Sequence, residues 1–303
     1  MRKGIYIFSI LLLALSCFWF FMRKNYESPS PETVVQAQNT ELSLQESSNI
    51  VHEDYQVQRD QVNLAGVITA DANYKQEKRP LLVIAHGFNN TLENYVDYAE
   101  ELARQGYLVY RFDFYGGSRA SKSGGTDMLN MSVLTEKADL EAVVEQLSKE
   151  KFVQGDQVTL IGASQGGVVA TLYAAEHADR INKLALIFPA FVLFDDVEAT
   201  YASLGVKSPK DLPDVITHRN AQLGSIYLKD AMSVDIQQEM KKVTAPVMLI
   251  HGTLDDVVPY SYSLEALKVF PNSQLVTVEG GGHWIDAQFN QVALPALEEF
   301  LRE

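Results

Sequence analysis

The chain has 303 residues, 47% hydrophobic and 21% charged, enough for one large domain with a substantial core. A formal net charge of −14 repels phosphate backbones and sets nucleic-acid binding aside. The one cysteine, Cys17, has no partner for an internal disulfide, so stability must come from the core.

The N-terminus differs from the rest. "MRKG" precedes an 18-residue uncharged run, Ile5 to Met22, which Arg23 and Lys24 close. As a helix it would reach roughly 27 Å, enough for a hydrocarbon core. Bulky "FWFFM" stands where a signal peptide would carry small residues, so residues 1–24 read as an uncleaved membrane anchor. The alternatives are secretion, or a lipoprotein processed at Cys17 after "LALS". The remaining chain carries −18, because residues 1–24 hold four basic and no acidic side chains. Behind so short a tail, that remainder is expected outside the cytoplasm. Residues 25–49, rich in Ser, Gln and Glu, read as a flexible stalk.

From Ile50 to Glu303 the pattern becomes that of a folded domain. "YQVQRDQVNLAGVITA" alternates and turns, predicting a β-hairpin. Apolar runs then recur, each ending in a turn: "PLLVIAHG", "YLVYRFDFYGG", "VTLIGASQGG", "LALIFPA", "PVMLIHG" and "QLVTVEGGGH". Helical stretches separate most of them, from "TLENYVDYAEELARQG" to the final "FNQVALPALEEFLRE". Such alternation predicts an α/β fold, a mostly parallel sheet buried under helices on both faces. Between about 191 and 245 the alternation stops for longer than an ordinary connection requires, which predicts a cap of small helices over the strand ends.

Gly162-Ala163-Ser164-Gln165-Gly166 fits G-x-S-x-G between a strand and a helix. A tight turn there strains the backbone and lifts the Ser164 hydroxyl above the sheet edge. That hydroxyl needs a base to become a nucleophile. In the order nucleophile, acid, histidine, His283 in "VEGGGHW" is the base, while His218 falls in the cap and His251 precedes the acidic candidates and reads as loop packing. Asp255 and Asp256 in "LIHGTLDDVVP" are the candidates for the acid that orients the imidazole, and spacing leaves both open. The backbone N–H of Gln165, after the nucleophile, and that of Phe88 in "HGFNN" are the expected oxyanion donors. His86 and Gly87 would shape that loop. No cofactor or metal is expected: Asp255-Asp256 lacks the alternating oxygen ligands of a calcium loop.

Together "HGF", "GASQGG", "HGTLDDVVP" and "GGGHW" resemble the α/β-hydrolase superfamily over nearly all of Ile50 to Glu303. "RFDFYGGSRASKSGG", the glutamine after the nucleophile and the compact insertion resemble its cinnamoyl/feruloyl-esterase branch. The resemblance selects Asp255 as the acid and implies substrate contacts at Asp196 and Tyr227. It implies hydrolysis of small carboxylic esters, hydroxycinnamoyl esters among them, through an acyl-enzyme. A serine peptidase or acyltransferase could use the same residues, and a tethered binding protein could keep the scaffold alone. Where many relatives carry D-x-x-G-x-G-x-S, this chain has Asp113, Gly116, Gly117 and Ser118, so that loop should have its own geometry.

Overall fold

The computed structural model describes residues 49–125 and 127–303. The expected anchor (1–24) and the stalk up to residue 48 lie outside the described residues. Among the described residues no helix is long and apolar enough to cross a membrane.

The predicted hairpin is β1 (Ile50–Arg59) and β2 (Val62–Asp71), antiparallel and paired from Ile50↔Asp71 to Arg59↔Val62. Asp60 makes the turn in the left-handed region (φ 52°), which aspartate tolerates because its side chain can bond nearby backbone. Strand β3 (Arg79–Ala85) leads to helix α1 (Val96–Arg104), then β4 (Leu108–Phe112) and α2 (Val133–Leu147). Ser132 starts α2 by accepting the Thr135 N–H, satisfying one of the donors a helix start leaves free. Then come β5 (Val153–Ala163), α3 (Gln165–Glu176) and β6 (Ile181–Ile187).

The insertion follows. It holds α4 (Leu193–Ser203), a hairpin of β7 (Val215–His218) and β8 (Ala221–Gly224), α5 (Ile226–Met232) and α6 (Ile236–Lys242). The small helices are as expected, but the β7–β8 hairpin is not. Its two-residue loop, Arg219-Asn220, has both residues at positive φ (44° and 61°), the conformation that matches the twist of two short strands. Arginine is a poor marker of such a turn, so the sequence hid it. The domain ends with β9 (Val247–Gly252), α7 (Ser261–Val269), β10 (Ser273–Val278) and α8 (Ala287–Arg302).

The main sheet has eight strands in the order β1-β2-β4-β3-β5-β6-β9-β10. Pairings from β4 through β10 are parallel, and β1 and β2 join antiparallel at one edge. Strand β3 explains the layers. Leu81, Val83 and Ala85 face a cluster containing Leu140 and Val143 of α2 and Val168 and Tyr173 of α3. Leu82 and Ile84 point the other way, into a cluster with Tyr98 and Leu102 of α1 and Phe289 and Leu297 of α8. A strand alternates its side chains, so a run apolar at every position requires cover on both faces. Each fully buried Leu or Phe contributes roughly 1.5–3 kcal/mol. The fold is thus the mostly parallel α/β sandwich that the sequence predicts, and its parallel strands end along one rim.

Candidate active site

Ser164 occupies the turn between β5 and α3 with φ 52° and ψ −121°, a strained conformation for a residue with a side chain. The turn closes because its neighbours are small. A methyl group on Gly166 would stand 2.2 Å from the Ala85 carbonyl oxygen and 2.4 Å from that of His86, so only glycine lets α3 approach β3 here. Backbone bonds from Ser164 N–H to Ile187 O and from Gly167 and Ala190 N–H to Ser164 O fix the turn.

His283 follows β10 and Asp255 follows β9, both at the same rim. Ser164 Oγ lies 3.0 Å from His283 Nε2, and His283 Nδ1 lies 2.7 Å from Asp255 Oδ2. An ionised carboxylate only accepts, so Nδ1 carries the ring hydrogen and Nε2 is free to take the serine proton. Asp255 Oδ1 accepts the N–H groups of Val257 and Val258 at 2.9 and 2.8 Å. Burial alone would raise the Asp255 pKa. Donation from His251, His283 and the Val258 N–H outweighs burial and holds the carboxyl well below the usual carboxylate range. Of the two aspartates left open by spacing, the structure places Asp255 against His283, while Asp256 is exposed.

The loop after β3 faces the serine. His86 Nδ1–H donates to Gly87 O at 2.8 Å, and Phe114 N–H donates to His86 Nε2 at 3.1 Å, so this buried histidine braces the loop. Asn89 N–H donates to Gly117 O and Asn90 N–H to Gly87 O. Among the described residues, the N–H groups of Phe88 and Gln165 donate to no protein acceptor. Gln165 also opens α3, where the helix dipole favours negative charge. Asp113 accepts Leu92 N–H and Lys122 N–H, each at 2.8 Å, which anchors the start of the Asp113–Ser118 loop.

A cavity of about 440 Å³ opens above Ser164, bounded by the β3 loop, the insertion and the His283 loop. Phe188, Val192, Leu193, Val257 and Ile285 supply apolar wall, and Trp284, 69% exposed, stands at its edge. The structure brings both Asp196 and Tyr227 to this cavity, but with their polar groups engaged. Arg219 Nη2 donates to Asp196 Oδ2 at 2.5 Å, and Tyr227 O–H donates to Gln165 Oε1 at 3.0 Å. His218 also lines the cavity, within the insertion, where burial lowers its pKa.

Sequence reasoning missed three contributors. Gln165 Nε2–H donates at 2.7 Å to Glu136 Oε2, and burial pushes this carboxyl up to about 8. Only its position on the inner face of α2 could have marked it. Phe188, at φ 35°, lays its ring 4.4 Å from that of His283. His251, read as loop packing, is buried as such but also lies 3.2 Å from Asp255 Oδ2.

Two protein families match the chain: "Serine aminopeptidase, S33" over residues 76–210 and "TAP-like protein" over residues 228–303. The solved structure of Est1E from Butyrivibrio proteoclasticus with ferulic acid bound is similar at 28% identity and a TM-score of 0.72, covering 82% of this chain and 98% of that one. The AB hydrolase superfamily protein YisY of Bacillus subtilis is 22% identical over 239 residues, 68% of this chain and 85% of the relative. The sn-1-specific diacylglycerol lipase ABHD11 of Mus musculus is 22% identical over 262 residues, 73% of this chain and 81% of the relative.

Proposed function

Since the chain belongs to the α/β-hydrolase superfamily, we propose that it is a serine hydrolase that cleaves carboxylic esters through an acyl-enzyme. The observation that carries this reading is the hydrogen-bonded line Ser164–His283–Asp255 opening on a cavity that also borders Phe88 and Gln165.

The steps follow from the geometry. Ser164 Oγ attacks the ester carbonyl carbon while its proton passes to His283 Nε2. The ring then carries two hydrogens, and Asp255 stabilises the positive charge through Nδ1–H. The N–H groups of Phe88 and Gln165 receive the oxyanion, each donor worth about 3 kcal/mol in the transition state. His283 returns the proton to the departing alkoxide, leaving an acyl group on Ser164. Water, deprotonated by the same imidazole, attacks the acyl carbon; the bond to Ser164 Oγ then breaks as His283 returns the proton to that oxygen, and the carboxylic acid leaves.

Hydroxycinnamoyl esters are the substrate class favoured by the likeness to Est1E with ferulic acid bound. The cavity supports it: an apolar wall suits a planar acyl chain, and the polar Asp196, His218 and Arg219 suit a hydroxylated end. An aminopeptidase would need a carboxylate free to meet the substrate ammonium. Asp196 is instead paired with Arg219. Initial rates on p-nitrophenyl esters, hydroxycinnamate esters and aminoacyl amides test the reading. Ester turnover is expected to dominate; faster amide turnover would replace the esterase with a peptidase.

The proposal includes a tether through residues 1–24 with the hydrolase domain outside the cytoplasm, supported by the uncharged run Ile5 to Met22. Protease added to intact cells should then degrade the domain. Protection that persists until lysis would contradict the tether's orientation.

A further inference from the structure

Asp255 touches two histidines, and the proposed reaction uses only one. His251 is the penultimate residue of β9, four residues before the carboxylate and fully buried, as is Ser263 of α7. Its Nε2 lies 3.0 Å from Val258 O and 3.2 Å from Asp255 Oδ2; its Nδ1 lies 2.6 Å from Ser263 Oγ. A carbonyl oxygen can only accept, so Nε2 carries a hydrogen and is shared between Val258 O and the carboxylate. The hydroxyl of Ser263 occupies the other ring nitrogen. Ser263 is itself held, its N–H donating to Tyr260 O, and the Tyr260 ring packs edge-on against His251 at 5.6 Å.

We propose that His251, oriented by Ser263, is a positioning residue for the acid of the site: its Nε2–H fixes the Asp255 oxygen that His283 uses. The inference rests on the proposed serine mechanism. Four donors converge on one carboxylate: Val257 and Val258 N–H on Oδ1, His251 and His283 on Oδ2. Rotation about the Cβ–Cγ bond moves both oxygens together, so the backbone donors on Oδ1 and the His251 Nε2–H on Oδ2 oppose it from the two ends of the carboxylate. A carboxylate free to rotate holds the imidazole less often in the tautomer and orientation that accept the serine proton. His251 touches neither the serine nor the cavity wall, so its effect should fall on the reaction rate and leave substrate affinity alone.

The test compares His251→Met, which fills the space without a donor, with His251→Gln, whose Nε2–H reaches the same place. The readout is the rate at which a fluorophosphonate labels Ser164, alongside kcat and KM on an ester and the downfield proton resonance of the His283–Asp255 hydrogen bond. The methionine variant is expected to label roughly tenfold more slowly, with KM within about twofold and the resonance broadened or lost. The glutamine variant should recover most of the rate and the resonance. If the methionine variant does not fold, Ser263→Ala decides: a loss of about threefold in labelling with an unchanged melting temperature supports the role, and an unchanged rate overturns it. Equal rates in wild type and His251→Met, or a glutamine variant no better than methionine, also overturn it. A wild type that takes no label at all removes the serine mechanism and this inference with it, whereas a labelled wild type matched by His251→Met removes only the inference.

Discussion

Asp255 on the sheet rim and Asp196 on the insertion are surrounded differently. Asp255 is buried and meets two backbone N–H groups and two imidazoles. Asp196 keeps about a third of its side-chain exposure and relies on the Arg219 guanidinium, itself 40% exposed on a hairpin loop. An acid that must hold an imidazole in one orientation needs several fixed donors. A residue that shapes the cavity wall can be held by one flexible ion pair, which at the surface contributes little to stability. The sheet therefore carries the groups of the proposed reaction, and the insertion lines the cavity, where the proposed selectivity would be set.

Breaking the rim should have the largest effect. Ser164→Ala is expected to lower ester turnover by about four orders of magnitude or more while leaving the fold intact, as checked by steady-state rates and circular dichroism. Residual turnover within tenfold of wild type would place the nucleophile elsewhere. Gly166→Ala should act through the backbone, since its methyl group has two carbonyl oxygens closer than contact distance. Lost activity together with a clearly lower melting temperature is the expected outcome.

The link between rim and insertion should respond less. Tyr227→Phe removes the hydroxyl bonded to Gln165 Oε1 and leaves that acceptor buried. A fall in kcat of roughly threefold to tenfold is expected. On the insertion itself, Arg219→Ala frees the Asp196 carboxylate and should raise KM roughly threefold to tenfold, with kcat nearly unchanged. If kcat falls and KM does not, the division between rim and insertion fails.

The smallest effect is on stability and depends on pH. Burial pushes the Glu136 carboxyl up to about 8 in the folded protein. As pH rises from the ordinary glutamate range toward 8, the unfolded chain gives up a proton that the folded chain keeps, so this residue lowers stability over that window. Glu136→Gln keeps a polar partner for Gln165 and has no such proton. Its melting temperature relative to wild type should rise between pH 5 and pH 8, by calorimetry. A constant difference would mean that Glu136 is ionised throughout.

Much of the fold was legible because strand ends and catalytic turns share a grammar. G-x-S-x-G, the glycine-rich loop before His283 and the carboxylate after β9 each sit where a parallel strand must turn, so chain order predicted their convergence. Asp255 could be separated from Asp256 by the resemblance, and in the structure by its contact with His283. Glu136 and Phe188 were invisible because they contribute through contacts between distant elements, with no local pattern, whereas His251 was read as packing and its contact with Asp255, four residues on, went unforeseen. The β7–β8 hairpin was hidden for the opposite reason: its turn is local but made by Arg219-Asn220, an unusual pair.

In the proposed reaction everything depends on the imidazole of His283 activating the hydroxyl of Ser164. Peptide mass spectrometry after fluorophosphonate treatment measures this directly. The adduct is predicted on the peptide containing Ser164 in the wild type, and at most in traces in His283→Ala under the same conditions. An adduct on another residue, or equal labelling of Ser164 without the imidazole, would contradict it.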